Sequence, residues 1–373
     1  MNQKLSVAII GSRGYPYVYS GYETFVKELS ERLVVKNIDV TVYCHKNLFD
    51  KHPSDVNGIK LHYFRTIETK SLSQLIHSFQ SIIHACISKT DIILVVNSAN
   101  GPFGLISKLF KKRTAINVDG LEWLRPKWKG LGAKYFYWAS KMSTKLYDYI
   151  INDSDAMRDI YLNEFNTDST VIAYGANIRE STNPKLIEKW ELQKSEYYLI
   201  VGRLIPDNNA DVIVKEFCKS NSNKKLVIVG DVPYQDKYAE KIKKTKDPRV
   251  IFTGYVNDQN CLSELYHNCY AYFHGHEFGG TNPTMLKALA YGCAVIALDT
   301  VFTKEMLSGD NFGIYFTKEE NNLKNVIDYA DLNNDELEEL RKKSRSRIIE
   351  NYTWDKIANQ YENLFKVMIK NKL

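Results

Sequence analysis

The chain has 373 residues, which is enough for two domains of ordinary size. Its composition, 44% hydrophobic and 25% charged, excludes a disordered, collagen-like or disulfide-framed protein. No apolar run approaches the ~18 residues of a membrane span, and the apolar run at 7–10 is too short for a signal peptide. We therefore expect no transmembrane helix and a cytoplasmic location. The six cysteines lack CxxC spacing, which favours buried free thiols over a zinc site.

The net charge of +6 is confined to the first half of the chain. Residues 1–175 carry 22 basic and 16 acidic side chains, whereas the remainder carries 28 of each. This pattern indicates either a mildly basic surface or a first domain that faces phosphates or an anionic membrane. No basic run or base-reading motif occurs, so nucleic acid is not an expected partner.

Short apolar, β-branched runs alternate with longer helical patterns through the first half. The predicted strands are residues 7–10, 40–44, 60–64, 92–97, 114–118, 149–152 and 170–173. The predicted helices are residues 22–35, 72–88, 133–147 and 155–164. This alternation is typical of a parallel sheet with helices on both faces.

The same alternation begins again after a polar segment at 178–195. The predicted strands are residues 197–201, 226–229, 250–253, 271–273, 294–298 and 313–316, with helices between them. We expect an α/β protein of two Rossmann-like, doubly wound domains that face a cleft, the first at 1–177 and the second at 195–352. A final helix within 353–373 has no strand after it, and we expect it to pack back on the first domain.

The first motif is a glycine-rich segment, GSRGYPYVYSGYETF, that follows the first strand. Gly14, Gly21 and Tyr22 lie where a ligand approaches the backbone closely and where a helix N-terminus favours an anion. The segment departs from G-x-G-x-x-G, and no acidic residue ends the second strand, so a nicotinamide dinucleotide site is disfavoured. A phosphate or sugar loop and a loop needed only for turning both remain open.

The second motif, NVDGLEWLRPKWKG, places aromatic rings beside charged groups after the strand at 114–118. Its polar and aromatic side chains are Asp119, Glu122, Trp123, Arg125, Lys127 and Trp128. Aromatic faces stack on sugar rings, and carboxylates accept hydroxyl protons. The alternative is a pair of core tryptophans with solvated charges around them.

The third motif, VGRLIPDNN, places Arg203 at the end of the strand at 197–201. A guanidinium there can bind two oxygens of a diphosphate, although a strand-end arginine is more often an ordinary salt-bridge partner.

The fourth motif, HGHEFGGTNPTMLKAL, follows the strand at 271–273. Asn282 is suited to cap a helix whose first residue is Pro283, which would make the glycine-rich turn an anion site. Glu277 lies just before that turn. His274 and His276 could bind zinc, but no third candidate ligand is evident beyond Glu277, so we expect no metal site.

These four motifs, in this order, resemble the retaining GT-B glycosyltransferases of family 4. More narrowly, they are similar to the bacterial rhamnosyltransferase branch that builds capsule and O-antigen repeat units. The markers are GSRGYP…SGYETFV, NVDGLEWLRPKW, IINDSDAM, VGRLIPDNN and HGHEFGGTNPTMLKAL, which cover nearly the whole chain. The resemblance implies a nucleotide-sugar donor held mainly by the second domain and an acceptor held mainly by the first.

Individual residues match the family's functional positions. Arg203 matches the basic residue that stabilises the donor diphosphate, and Asn208 stands where most of the family has lysine. Glu277 matches the first glutamate of a paired-glutamate motif, near the transferred sugar. The second glutamate, which normally binds the nucleotide ribose, is replaced here by Lys287. A lysine cannot accept a hydrogen bond, so the ribose is held differently, Lys287 contacts a phosphate, or the enzyme is weakened.

The resemblance implies a full set of site residues. The implied catalytic residues are Asp119, Glu122, Arg203 and Glu277. The implied donor-binding residues are Gly14, Gly21, Tyr22, Arg203, Asn208, His276, Gly279, Gly280, Thr281, Asn282 and Lys287. The implied acceptor-binding residues are Trp123, Arg125 and Lys127.

The implied reaction is transfer with retention, with dTDP-rhamnose as the best guess for the donor and a polyprenyl-diphosphate-linked saccharide as acceptor. No cofactor or metal is required by this scheme. The basic first half, with lysines and aromatic residues at 127–138, fits a peripheral protein on the inner face of the cell membrane. The alternative for this stretch is a packed aromatic helix face. The alternatives are a UDP-sugar donor, a sugar-nucleotide 2-epimerase and a catalytically weak scaffolding subunit.

Overall fold

The computed structural model describes residues 4–16, 21–67, 72–118, 120–126, 128, 130–232 and 236–370. The chain divides into two compact units. The first comprises Met1–Tyr174 and Trp354–Leu373, and the second comprises Gly175–Thr353.

The first unit is built on an eight-stranded sheet. Its strands are β1 (Ser6–Ile10), β2 (Asp39–His45), β3 (Asp55–Val56), β4 (Ile59–Phe64), β5 (Ile92–Val96), β6 (Arg113–Asn117), β7 (Tyr149–Asn152) and β8 (Thr170–Val171). Their order in the sheet is β3-β4-β2-β1-β5-β6-β7-β8, and only the β3–β4 pair is antiparallel among these strands. Its helices are α1 (Gly21–Val35), α2 (Leu72–Ile87), α3 (Gly104–Leu109), α4 (Leu131–Leu146) and α5 (Asp155–Phe165).

The second unit is built on a six-stranded, wholly parallel sheet. Its strands are β9 (Tyr197–Val201), β10 (Lys225–Val229), β11 (Val250–Gly254), β12 (Ala271–His274), β13 (Val295–Leu298) and β14 (Ile314–Phe316), in the order β11-β10-β9-β12-β13-β14. Its helices are α6 (Ala210–Lys219), α7 (Lys237–Lys243), α8 (Gln259–Asn268), α9 (Pro283–Ala290), α10 (Val301–Met306), α11 (Asn322–Leu332) and α12 (Asn334–Asn351).

The central strands are apolar on both faces because helices cover both sides of each sheet. Every residue of β5 is fully buried, and Tyr198 of β9 stacks on Phe273 of β12 with ring centroids 4.8 Å apart. Burial of this kind contributes about 25 cal/mol for each Å² of apolar surface removed from water. The continuous apolar runs in the sequence follow from this requirement.

The last helix, α13 (Trp354–Lys370), belongs to the first unit and packs on α1. Phe25 of α1 lies between Trp354 and Tyr361, at centroid distances of 6.4 and 5.4 Å. An ion pair of 2.7 Å from Arg32 to Asp355 flanks this apolar contact. The hydrophobic face of α13 is thereby buried without a partner strand.

The prediction of two parallel-sheet α/β domains is confirmed, and the predicted strands agree with the structure to within two residues at their ends. Two short elements, β3 and α3, and the two helices that follow β14, α11 and α12, were not predicted. The polar segment at 178–195 is not a free connection, because it lies in the second unit and contains a 3-10 helix at Pro184–Trp190. Ser181 and the backbone of Thr182 donate to Glu264 of α8, each at 2.6 Å.

Two further features bear on the class of protein. Among the described residues, no helix combines the length and apolar character needed to cross a lipid bilayer. All six cysteines are free thiols, and only Cys218 is partly exposed. The prediction of buried free thiols is therefore confirmed for the other five.

Candidate active site

Three of the four predicted motifs follow strands at the point where the strand order of a sheet reverses. In the first unit β1 pairs with both β2 and β5, and in the second β9 pairs with both β10 and β12. Ligands of open parallel sheets bind beyond the carboxyl ends of the strands at such a switch point. The loops after β1, β9 and β12 are thus the places where this fold favours a ligand.

Arg203 lies in the loop after β9, and its side chain is exposed. Among the residues that the structure describes, no carboxylate pairs with its guanidinium. The sequence left open whether Arg203 is an ordinary salt-bridge partner, and the structure argues against that alternative. An exposed guanidinium at the switch point is available for an anionic ligand.

Asn208 connects the loops after β9 and β12. Its side-chain nitrogen donates to the Arg203 carbonyl oxygen at 2.7 Å, and its oxygen accepts from Nδ1 of His276 at 2.8 Å. Asn209 adds a second link by donating to the Gly275 carbonyl oxygen at 2.8 Å. The position where the family has lysine is therefore occupied by a neutral group that holds two strand-end loops together.

Glu277 is fixed by its backbone and by its side chain. Its backbone N–H donates to the Asp207 carbonyl oxygen at 3.0 Å. Its Oε2 lies 2.5 Å from Nζ of Lys318 and 3.4 Å from Nδ2 of Asn209. Lys318 follows β14, two strands away from β12 in the sheet, and sequence reasoning missed it. Its position just after a predicted strand was the only available signal.

The glycine-rich turn leads into α9 as predicted. Gly279 has a φ of +111°, which favours glycine, and Thr281 is buried. The Asn282 side chain caps α9 by accepting from the Thr284 N–H at 3.0 Å, and Pro283 is the first helical residue. The predicted cap is confirmed.

The position of Lys287 in α9 bears on its charge. Because α9 has only eight residues, Lys287 lies in the last turn, where the helix dipole favours a cation. With a rise of about 1.5 Å per residue, its Cα is roughly 6 Å along the axis from Pro283.

His274 is a core residue. It is 3% exposed, and Nδ1 lies 3.4 Å from the Tyr272 hydroxyl. Burial, helped by the neighbouring charge of His276, lowers the pKa of His274 to about 3, so its imidazole is neutral near neutral pH. Among the described residues no group of His, Cys, Asp or Glu is arranged to hold a metal ion.

The loop after β1 depends on two glycines. Gly11 and Gly14 have φ values of +110° and +127°, and a Cβ on Gly14 would lie 2.8 Å from Sγ of Cys44. The backbone N–H of Arg13 donates to buried Glu23 of α1 at 3.0 Å. The predicted residues Gly21 and Tyr22 form the start of α1, while 17–20 lie outside the described residues.

The second motif is only partly described, because Asp119 and Lys127 lie outside the described residues. Glu122 accepts from Arg125 with one oxygen and from Nε1 of Trp128 with the other, both at 2.6 Å. Arg125 is 8% exposed. Glu122 and Arg125 therefore stabilise the conformation of this loop, a role that the sequence did not predict.

Trp123 packs in an aromatic cluster with Tyr137, Tyr161 and Phe165 at centroid distances of 5.9–6.1 Å, all in edge-on geometry. The neighbouring stretch is also packed in part, since Phe136 is 8% exposed and Tyr135 donates to the Ala99 carbonyl oxygen. These contacts favour packing over ligand binding for Trp123 and over a membrane contact for the aromatic stretch of α4, although Trp138 remains 47% exposed.

Each half of the chain matches a different family model. Residues 182–351 match the family model for glycosyl transferases group 1, and residues 4–177 match a model described as domain of unknown function (DUF1972). The sucrose-phosphate synthase structure from Thermosynechococcus elongatus is similar with a TM-score of 0.82 and 16% identity, covering 98% of this chain and 100% of that one. Anabaena HepE in complex with UDP-glucose gives a TM-score of 0.76 and 15% identity, covering 98% and 100%.

One curated relative matches a shorter segment. It is the N-acetylgalactosamine-N,N'-diacetylbacillosaminyl-diphospho-undecaprenol 4-alpha-N-acetylgalactosaminyltransferase of Campylobacter jejuni, 26% identical over 145 residues. The match spans 38% of this chain and only 39% of that protein.

The two parallel-sheet units define a protein of the GT-B fold. Within this fold, residues 182–351 resemble the glycosyl transferases group 1 family.

Proposed function

We propose that this chain transfers a sugar from a nucleoside-diphosphate sugar to a saccharide carried on a polyprenyl diphosphate. The observation that carries the donor half of the proposal is Arg203, an exposed guanidinium at the β9–β12 switch point with no carboxylate partner among the described residues. Such a group binds two diphosphate oxygens at once.

The leaving diphosphate gains negative charge as the glycosidic bond breaks. Arg203 and the backbone N–H groups that precede α9 are the groups that we assign to this charge, because Asn282 and Pro283 fix the start of the helix. Fixed donors aimed at developing charge lower the barrier without reorganising. In this scheme transfer proceeds with retention, as the resemblance implies, and needs no divalent metal. Turnover that persists in EDTA would support the metal-free scheme.

The donor sugar is the less constrained part of the proposal. The resemblance to the rhamnosyltransferase branch favours dTDP-rhamnose and an enzyme of capsule or O-antigen synthesis. Two comparisons favour another donor, since HepE was solved with UDP-glucose and the Campylobacter relative is named as an N-acetylgalactosaminyltransferase. We therefore propose dTDP-rhamnose as the first donor to test and UDP-sugars as the second.

The acceptor half of the proposal rests on the first unit. The Campylobacter relative is named for a saccharide on diphospho-undecaprenol, which supports a lipid-linked acceptor here. Both oxygens of Glu122 already accept hydrogen bonds, so we assign the orientation of the acceptor hydroxyl to Asp119 and the shape of the loop to Glu122. Transfer should fall in Asp119→Asn without loss of donor binding.

An exposed apolar edge of the first unit supports a membrane location. On and just after α3, Leu105, Leu109 and Phe110 are 52%, 75% and 49% exposed, with Lys108 between the two leucines and Lys111 directly after Phe110. Apolar side chains interleaved with lysines suit an anionic lipid surface. We propose that this edge contacts the inner face of the membrane. Leu109→Ser should reduce sedimentation with anionic vesicles, and unchanged binding would refute this location.

The donor assignment is tested by a thermal-shift panel of dTDP, UDP, GDP, dTDP-rhamnose, UDP-glucose and NAD. A ligand that binds only the folded chain raises the melting temperature by mass action. We expect a shift with dTDP or UDP compounds that Arg203→Ala removes. A shift with NAD alone, or no shift with any sugar nucleotide, would contradict the proposed function.

A further inference from the structure

A lysine and a glutamate from distant parts of the second unit form a close pair beside the donor loops. Nζ of Lys318 lies 2.5 Å from Oε2 of Glu277, and their side chains are 42% and 30% exposed. Half-exposed partners at a strand-end loop remain accessible to a ligand. The pair is separated by 41 positions in sequence, so the fold and not a local turn brings it together.

Both backbones that carry the pair are fixed. Glu277 is held through its N–H to the Asp207 carbonyl oxygen at 3.0 Å. On the other side, the N–H of Thr317 donates to Asn322 at 2.8 Å, and the N–H of Glu319 donates to the Thr317 hydroxyl at 3.3 Å. Lys318 therefore extends from a structured turn, and the position of its ammonium group relative to Glu277 is not left to chain flexibility alone.

The two groups have complementary hydrogen-bonding properties. The ammonium group of lysine only donates, and an ionised carboxylate only accepts. A hydroxyl group does both. Neighbouring hydroxyls on a sugar ring can therefore bind across such a pair, with one accepting from Nζ and the other donating to Oε2.

The pair differs from the diphosphate site in its net charge. Lys318 and Glu277 together carry no net charge, so their combined field on a diphosphate is weak compared with that of Arg203, which has no carboxylate partner in the described part of the chain. Lys318 also contacts the residue assigned to the sugar, whereas Arg203 has no such contact among the described residues. The pair is therefore suited to the uncharged part of the donor.

We propose that Lys318 binds the transferred sugar, donating from Nζ to one ring hydroxyl while Glu277 accepts from its neighbour. The proposal rests on the proposed function and deepens it, since it requires a donor sugar with two adjacent hydroxyl groups. Neither the sequence motifs nor the resemblance assigns a role to Lys318.

The test compares Lys318→Met with Lys304→Met by calorimetry. Lys304 is a matched control, because it pairs with Asp299 at 2.7 Å, is 52% exposed and belongs to the helix that follows β13. The probes are dTDP with dTDP-rhamnose, and UDP with UDP-glucose. We expect Lys318→Met to weaken the sugar nucleotide about tenfold, which is the loss of one hydroxyl contact, and to leave the nucleoside diphosphate unchanged. Lys304→Met should alter neither.

Three results would overturn the proposal. Unchanged binding of the sugar nucleotide by Lys318→Met would exclude a contact with the sugar. An equal loss for the nucleoside diphosphate would assign Lys318 to the phosphates. If the wild-type chain binds neither the nucleoside diphosphate nor the sugar nucleotide, both the proposed function and this inference fail. In the first two cases the wild-type chain still binds its donor, so only this inference fails. A second measurement is expected to agree: wild type should reject a monodeoxy analogue of the donor sugar more strongly than Lys318→Met does.

Discussion

The side chain of Asn208 accepts a hydrogen bond from Nδ1 of His276 at 2.8 Å and thereby joins the loops after β9 and β12. Its nitrogen donates at the same time to the Arg203 carbonyl oxygen. An amide can do both, whereas a lysine has no acceptor. The neutral residue at this position therefore forms two hydrogen bonds between the loops, in addition to removing a positive charge.

Asn208→Lys tests this interpretation. The change introduces the family's usual lysine but removes the acceptor of His276. We expect the melting temperature to fall and donor affinity to drop several-fold, because the loops that carry Arg203 and Glu277 lose a link. Tighter donor binding by Asn208→Lys, measured by calorimetry with dTDP and UDP, would contradict this interpretation.

Arg203→Ala tests the diphosphate assignment. Its exposed guanidinium has no ion-pair partner among the described residues, so removing it should leave the melting temperature nearly unchanged. We expect turnover to fall about 10²-fold or more, the range for removal of one preorganised donor. Arg158→Ala, at an arginine paired with Asp155 on the first unit, is the control and should keep full activity. Near-wild-type turnover by Arg203→Ala would refute the assignment.

The sheets could be predicted because their strands are buried on both faces. The predicted and observed bounds of β7 and β9 are the same, since each is an apolar run that ends at a polar residue or glycine. In contrast, β3 has two residues and α3 has six, which is too short for a period of two or of 3.6 to show. The two-residue turn of Asn57 and Gly58 joins β3 to β4, and α3 packs against α2 and α4.

Gly14→Ala should destabilise the first unit. Its φ of +127° is strained for any other residue, and a Cβ would lie 2.8 Å from Sγ of Cys44. We expect a loss of about 2 kcal/mol or more in the free energy of unfolding. Gly309→Ala is the control for conformation alone, because φ is +62° there and no atom lies within 4 Å of the added Cβ. Its cost should be about 1 kcal/mol. Equal losses in urea denaturation would contradict the steric argument.

Asp247→Asn tests a charge contact in the second unit. Arg249, which donates to Asp247 at 2.7 Å, is the main cause that lowers the pKa of this carboxyl from 3.8 to about 2. A lowered carboxyl pKa stabilises the fold above pH ~4, and this stabilisation is lost as the pH falls towards 2. We expect the variant to be less stable by up to about 2 kcal/mol at pH 7, with the difference shrinking below pH ~4.

Urea denaturation at several pH values measures this effect. Asp50→Asn, at an exposed position, is the control and should leave the free energy of unfolding unchanged. A difference between wild type and Asp247→Asn that stays constant down to pH ~3 would show that the contact does not act through ionisation.

A contact in the candidate site could be predicted where both of its residues belong to one motif. The cap of Asn282 on α9 is local, so residue types at fixed spacing were sufficient. The contact between Glu277 and Lys318 depends instead on the strand order β12-β13-β14, which no local pattern specifies. The same limit applies to Glu122, whose two oxygens are engaged through loop geometry that composition does not reveal.

The most direct test of the central claim is a transfer assay that follows nucleoside diphosphate release and the mass of the lipid-linked product. The assay uses dTDP-rhamnose or a UDP-sugar, with and without a polyprenyl-diphosphate-linked saccharide. We predict release that depends on the acceptor and a product heavier by one sugar. Release of nucleotide without an acceptor would indicate an epimerase or hydrolase. Absence of release with any donor and acceptor would contradict the proposal and favour a non-catalytic subunit.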